Sequence, residues 1–273
     1  MSWLDRQSFL GTDSEQVFLK TRVGIVGLGG GGSHVAQQLA HVGIGSFALV
    51  DPDVMEDTNL NRLVGGTHDD VKGRTPKVLI AERVIKGVRP DAQVTIVQDY
   101  WQSAGDALKL CDVIVGGLDK VDAKSQLDAF CRRHLIPYID MGMDVHGHDG
   151  DFLIAGQVVL SAPGGPCLRC CHVVTETLLE KEAKKYGEAG SNPQVVWPNG
   201  ILASSAVGLL VRLVTPWAST ASRSAYLEYD GNLGTVTESQ RMSHMKPGHC
   251  RHYPADELGD PGFDIRTFRP TIR

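Results

Sequence analysis

The sequence predicts an α/β protein built on a doubly wound, mainly parallel sheet, and three observations predict it. A β-branched run, Arg22-Val23-Gly24-Ile25-Val26-Gly27, leads through a glycine cluster into a helical pattern carried by Val35, Leu39 and Val42. A second apolar run, Phe47 to Val50, ends on Asp51 and closes a β-α-β unit of about thirty residues. Strand-like and helix-like stretches then alternate as far as Ile139, and parallel neighbours need helical crossovers of this kind.

The later elements come in order. Periodicity predicts a helix over Val71 to Val88, strands over Gln93 to Val97 and Asp112 to Gly116, and a helix over Ala123 to His134 that ends before Pro137-Tyr138-Ile139. From Asp149 the pattern changes: Phe152 to Leu160 and Ala225 to Tyr229 read as antiparallel strands added in the C-terminal half, with a helix over Ile201 to Val214 between them. No second core and no internal repeat is evident, so residues 1–273 read as one domain. Residues 1–20 form its N-terminal arm. Residues 175–199 are polar, with Lys181, Lys184 and Lys185 against Glu180, Glu182 and Glu188; they read as an exposed helix running into a mobile crossover loop.

Composition bounds the function. A chain of 273 residues with 42% apolar and 22% charged content can bury a sizeable core. Its net charge of −5 argues against nucleic acid as the main partner. The longest apolar run, Gly200 to Val211, is too short for a bilayer core of about 30 Å and reads as a buried helix, so no membrane is expected. The first residues lack the basic-then-apolar order of a secretory signal, and a cytoplasmic protein is expected.

Gly27, Gly29 and Gly32 fit the G-x-G-x-x-G pattern of a Rossmann-like nucleotide turn, where missing Cβ atoms let backbone approach a phosphate or ribose at a helix N-terminus. Asp51 ends the second strand at the spacing of a ribose-binding acid. The unit alone also fits an NAD-dependent oxidoreductase. The residues beyond Asp51 separate the two, because Asp53, Asn59, Arg62 and Lys77 add an amide and two cations that suit a triphosphate better than the diphosphate bridge of a dinucleotide.

Together these residues resemble the ThiF/MoeB/HesA family, bacterial relatives of ubiquitin-activating enzymes. Gly27-Leu28-Gly29-Gly30-Gly31-Gly32-Ser33 is similar to the family's nucleotide loop, and Asp51-Pro52-Asp53 through Thr58-Asn59-Leu60-Asn61-Arg62 to its D-x-D and S-N-L-x-R stretch. Gly73-Arg74-Thr75-Pro76-Lys77 resembles its G-x-x-K segment, Leu118-Asp119 its T-D-N turn with Lys120 in place of Asn, and Asp5-Arg6-Gln7 the R-Q that opens many members. The resemblance implies an ATP-dependent adenylyltransferase acting on the C-terminal carboxylate of a ubiquitin-like or sulfur-carrier protein ending in Gly-Gly. It implies a nucleotide site lined by Gly27, Gly29, Gly30, Gly32, Asp51, Asp53 and Lys120, with Asp51 on the ribose and Asn59, Arg62 and Lys77 on the phosphates. Asp119 is implied as holder of Mg2+ and of the attacking carboxylate, with helix capping as its bland alternative. A homodimer is implied, with Arg6 reaching the partner's ATP. The family also contains tRNA-modifying cyclases or dehydratases, the alternative function.

Six cysteines are too few for a disulfide scaffold, and three crowd into Cys167, Cys170 and Cys171. Cys167 and Cys170 form a C-x-x-C knuckle, half of a zinc site. The resemblance implies a second C-x-x-C near the C-terminus, where this chain has Cys250-Arg251-His252-Tyr253; Cys250 and His252 complete the expected set, with His249, His244 and Cys171 as alternatives. Residues 175–199 contain no cysteine, so adenylation without a thioester in that segment is expected.

Overall fold

The parallel strands form where β-branched and apolar runs leave little that a helix face could turn to water. In a computed structural model, which describes residues 3–148, 150–184, 193–218, 226–244, 250–253 and 258–259, these are β1 (Arg22–Val26), β2 (Ser46–Val50), β3 (Gln93–Val97) and β4 (Val113–Gly116). Antiparallel strands continue from β5 (Tyr138–His148) through β6 (Asp151–Ser161), β7 (Tyr226–Asp230) and β8 (Thr235–Glu238). Among the described residues eight strands make one sheet in the order β3-β2-β1-β4-β5-β6-β7-β8, parallel from β3 to β5 and antiparallel beyond.

The helices are α1 (Ser14–Lys20), α2 (Gly30–Val42), α3 (His68–Gly73), α4 (Lys77–Val88), α5 (Gly105–Leu108), α6 (Val121–Arg133), α7 (Glu176–Lys184) and α8 (Val196–Val214). Val35 and Leu39 of α2, Val78 and Ile85 of α4, and Leu202 and Leu210 of α8 pack on one side against Ile25, Val115 and Ile139. On the other, Leu127 and Phe130 of α6 join Trp101 and Leu108 against Val26, Ile114 and Tyr138. Helices on both faces make the sheet doubly wound, and each fully buried aliphatic side chain contributes about 2 kcal/mol of transfer free energy.

Three expectations need correction. The helix predicted over Val71 to Val88 is two helices, α3 and α4. Arg74 takes a left-handed conformation at φ 47° and Pro76 lacks an N–H, while Met55 N–H donates to Thr75 O at 2.8 Å, so the break is a small bridge to the segment after Asp51. Next, α8 begins at Val196, so the crossover loop expected to reach Asn199 ends earlier; Pro198 is tolerated because it sits in the first turn. The loop's middle, 185–192, lies outside the described residues. At 19 residues α8 is also long and apolar enough to cross a membrane, against the expectation from Gly200 to Val211 alone, yet half of it is buried in the protein, as expected of a core helix.

Candidate active site and metal centre

Strand order reverses between β1 and β4, and in a doubly wound sheet the crevice beyond the carboxyl ends of the strands at such a point takes the ligand. The glycine loop fills that position. Gly27 N–H donates to Val50 O and Gly117 N–H to Val26 O, each at 2.9 Å, so the loop after β1 and the loop after β4 are tied to the same sheet edge. Gly27 has φ 86°, and a Cβ there would lie 2.7 Å from Gly117 O. A Cβ on Gly32 would lie 1.9 Å from Gly27 O, whereas one on Gly29 would meet nothing within 4 Å. The loop is therefore closed on its protein side and open at Gly29. Gly30 backs onto Asn199, the first-turn amide of α8.

Asp51 is buried and both of its oxygens accept backbone N–H bonds, Oδ2 from Leu28 at 2.6 Å and Oδ1 from Asp53 at 2.8 Å. Burial pushes its pKa up and the Lys77 charge opposes this. Lys77 opens α4; its Nζ lies 2.6 Å from Asp53 Oδ2, with Lys77 buried and Asp53 largely exposed. The Lys77 N–H also donates to Asp53 O at 3.0 Å, so the break between α3 and α4 delivers this lysine to the Asp51 loop. Asn59 is buried, with Oδ1 accepting from Glu56 N–H at 3.1 Å in a capping box. Half-buried Arg62 turns back on its own segment, donating to Thr58 O and to Asn61 Oδ1. Ser33 ties that segment to the glycine loop: Val64 N–H donates to its Oγ at 3.0 Å, and the hydroxyl donates to Gly30 O at 2.9 Å.

Asp119 and Lys120 are exposed on the loop after β4. Asp119 does not cap α6. That role falls to Glu182 of α7, whose carboxylate accepts from Val121 N–H at 3.1 Å and Asp122 N–H at 2.9 Å. Arg6 is exposed and sits at the far end of α2, where neighbouring Gln7 Nε2 donates to Val42 O at 2.7 Å. Thirteen residues of helix, about 20 Å, separate that point from the glycine loop.

Sequence reasoning missed several contacts that complete this edge. Asn61 Nδ2 donates to Gln194 O at 2.8 Å, and Asn199 lies against Gly30, so the approach to α8 walls the site. Behind the loop after β4, Lys124 donates to Asp140 Oδ2 at 2.8 Å and to Met141 O at 3.0 Å, while Tyr138 OH donates to Asp140 Oδ1 at 2.9 Å. Lys124 and Asp140 are both buried. Nothing in their local patterns singles them out from ordinary helix and strand residues.

The structure brings the four expected ligands together. Ligand atoms of Cys167, Cys170, Cys250 and His252 all lie within 4.8 Å of one another. Cys167 Sγ and Cys170 Sγ are 3.6 Å apart, as are Cys170 Sγ and Cys250 Sγ, and His252 Nδ1 lies 3.4, 3.3 and 3.8 Å from the three sulfurs. A tetrahedral zinc requires edges of about 3.8 Å between sulfurs and about 3.5 Å from sulfur to nitrogen, so this set fits. His252 is the histidine in place; His249 lies outside the described residues, and Cys171 is buried outside the cluster. Asp128 Oδ2 accepts from Leu168 N–H at 3.0 Å and Arg132 Nη2 donates to Pro166 O at 2.7 Å, holding the knuckle backbone from inside the core. Burial pushes the remaining thiols up, Cys111 to about 11, Cys171 to about 12 and Cys131 well above its ordinary value.

With a glycine loop at the switch point, a buried acid behind it and a lysine paired to the segment that follows, the fold is that of a nucleotide-binding α/β domain, to which a Cys/His cluster of metal-binding geometry is added. Residues 4–252 match the ThiF family, and the chain belongs to it. It is 33% identical over 163 residues to the SAMP-activating enzyme E1 of Haloferax volcanii, covering 59% of this chain and 57% of that protein. It is 34% identical over 146 residues to the tRNA threonylcarbamoyladenosine dehydratase of Escherichia coli, covering 50% and 54%. The match to the molybdopterin-synthase adenylyltransferase of Escherichia coli is 27% over 234 residues, covering 84% and 87%. The chain thus spans little more than half the length of the first two relatives. Escherichia coli MccB with AMPCPP and MccA shares the fold, with a TM-score of 0.73 at 20% identity over 92% of this chain and 73% of that one.

Proposed function

We propose that this chain is an ATP-dependent adenylyltransferase that activates the C-terminal carboxylate of a small ubiquitin-like or sulfur-carrier protein ending in Gly-Gly, with residues 1–273 working as one adenylation domain. The observation that carries this reading is Lys77, buried and paired with Asp53, two residues from the Asp51 carboxylate that accepts Leu28 N–H of the glycine loop. A solvated surface lysine has no reason to be there; a cation facing a polyphosphate has. The names of the relatives support the same reading, since they include sulfur carrier protein ThiS adenylyltransferase and ubiquitin-like modifier-activating enzyme 5.

In this reading Gly27, Gly29, Gly30 and Gly32 bring backbone to the nucleotide and Asp51 accepts the ribose hydroxyls. Asn59 steadies the phosphate segment, Arg62 swings from Thr58 O to the phosphates, and Lys77 leaves Asp53 to join it. Lys120 lies beside Asp119 and adds a further positive charge. A carboxylate meeting a polyphosphate is repelled by about 1 kcal/mol at 4 Å even in water, so these charges lower the barrier by neutralisation. A carboxylate oxygen bonds to the α-phosphorus, the bond to the bridging oxygen breaks, and pyrophosphate leaves with that electron pair. Asp119 is the residue to hold magnesium, which when bound neutralises phosphate charge. Arg6 cannot serve its own chain's loop from the far end of α2; it reaches the nucleotide of a second copy, which makes the working unit a homodimer. Zinc held by Cys167, Cys170, Cys250 and His252 has four protein ligands and no open position, so it is structural. Those four ligands include three of the six cysteines and the other three are buried, so the acyl group is not held as an enzyme thioester. A cytoplasmic setting agrees with free thiols and ATP use.

Pyrophosphate exchange into ATP, dependent on a carrier ending in Gly-Gly, tests the reading. Asp119→Ala and Arg62→Ala are expected to lower exchange by about 100-fold or more. Undiminished exchange in both variants overturns the assignment of these residues. Exchange that depends on tRNA instead of a carrier selects the second reading, a tRNA-modifying dehydratase, favoured by the similarity to the Escherichia coli enzyme of that kind.

A further inference from the structure

The arm that carries Arg6 follows a period of three. In the short 3-10 helix Asp5–Leu10, side chains three apart eclipse, so Leu4, Gln7 and Leu10 share one side while Trp3, Arg6 and Phe9 share another. Burial sorts them the same way: Leu4 and Leu10 are buried and Gln7 half-buried, whereas Trp3, Arg6 and Phe9 are exposed. The inward side grips the carboxyl end of α2. A Cβ on Gly43 would lie 2.9 Å from Leu4 Cδ1, Gln7 Nε2 donates to Val42 O at 2.7 Å, and Leu10 joins the core. Arg89, buried at the end of α4, donates from Nη1 to Gly43 O at 2.6 Å. Farther along the arm, Phe9 meets Trp217 edge to face with ring centroids 6.2 Å apart. Unpaired carbonyls and the negative end of the dipole make a helix carboxyl end attractive to any nearby guanidinium, and Arg6 stands one residue from Gln7. Gln7 and Arg89 already occupy the two outermost carbonyls. Among the described residues Arg6 makes no hydrogen bond or ion pair.

We propose that Gln7 is a positioning residue for Arg6: by committing its amide to Val42 O it fixes the base of the arm on α2 and leaves the Arg6 guanidinium free for the nucleotide of a second copy. Gln7 itself touches neither nucleotide nor acceptor. The inference rests on the adenylyltransferase reading and its shared site. A charge delivered across an interface works only when its base is held, since a displacement of about 1 Å costs up to about 100-fold in rate. Gln7 supplies that hold from the side of the arm opposite Arg6, with Leu4 and Leu10 as its apolar neighbours.

The test uses the full chain, ATP with magnesium, and a recombinant ubiquitin-fold protein ending in Gly-Gly. Gln7→Met keeps the length of the side chain and removes its donor; kcat for pyrophosphate exchange is expected to fall about tenfold with the KM for the carrier within about twofold. Gln7→Lys, which restores a donor to Val42 O, is expected to recover most of the loss. Mixed pairs of Arg6→Ala and Asp119→Ala chains then separate positioning from folding. In such a pair the working site takes its arm from the Asp119→Ala chain. Adding Gln7→Met to that chain should cut the recovered exchange about tenfold, and adding it to the Arg6→Ala chain should leave the recovery within about twofold. An equal loss in both mixtures overturns the proposal, because Gln7 would then serve folding or pairing alone, and no loss in either overturns it too. A mixture that never recovers while the wild type is active removes the shared site and the role of Gln7 with it. A wild type without carrier-dependent exchange overturns the adenylyltransferase reading. Amide deuterium uptake over residues 4–10 reads the hold separately: it should quicken in Gln7→Met, and unchanged uptake removes the proposed hold whatever the activity.

Discussion

Gly29 and Gly32 sit three residues apart in one loop under opposite constraints. A methyl group at Gly32 collides with Gly27 O, whereas at Gly29 it projects into open space at the side where a nucleotide would lie. Gly32→Ala should destabilise the fold by about 3 kcal/mol or more, and Gly29→Ala by about 1 kcal/mol or less. Denaturant melts and ATP calorimetry should therefore separate them, with Gly29→Ala folded but binding ATP at least about tenfold more weakly. Asp51 adds a pH signature. Its raised pKa means the folded state binds that proton more tightly, so the associated stability is present at low pH and is lost as pH rises through the folded value. In the proposed nucleotide site, ribose binding requires the charged form of Asp51. Affinity for adenosine, which has no phosphate to titrate, should fall on acidification from a pH above the ordinary aspartate value of about 4, and Asp51→Asn should abolish the dependence.

At the scale of elements, the Cys/His cluster joins segments 80 residues apart in sequence, Cys170 and Cys250. Removing the metal with a chelator, or replacing Cys250 with Ser, should lower the melting temperature by about 5 °C and bring metal content well below one per chain. The same scale shows what the sequence could convey. Glycine loop, Asp51 and C-x-x-C are local patterns, and each was legible because its geometry is decided within a few residues. The break between α3 and α4 was written in Pro76 but masked by continuous apolar periodicity on either side. Glu182 on α6 spans 61 residues and Asn61 on Gln194 spans 133, and no local period encodes such pairings. The length of β5 was hidden for a related reason: Asp140, Gly142 and Asp144 are not strand-like alone and are held extended by pairing with β6.

For the whole molecule, the position of Arg6 bears on the proposed stoichiometry. At the far end of α2, about 20 Å of helix from its own glycine loop, Arg6 can serve a nucleotide only across an interface, so on the adenylyltransferase reading a pair of chains completes the site. Specific activity should fall on dilution as pairs separate. Mixing Arg6→Ala with Asp119→Ala, each inactive alone, should restore about a quarter of wild-type exchange, because half of the pairs are mixed and each carries one intact site. Absence of any recovery, with exchange of subunits verified by light scattering or mass, would remove the shared-site arrangement.

The placement of the six sulfurs carries one more implication. On the adenylyltransferase reading, with three sulfurs buried and three gathered with His252, the mixed anhydride with AMP would be the last covalent state formed here, and that compound is vulnerable to water. Its lifetime then depends on how well the crevice stays dry, and productive turnover requires the next nucleophile to arrive before hydrolysis does. A recipient that docks on the enzyme ahead of the chemistry would therefore raise yield without changing the rate of activation.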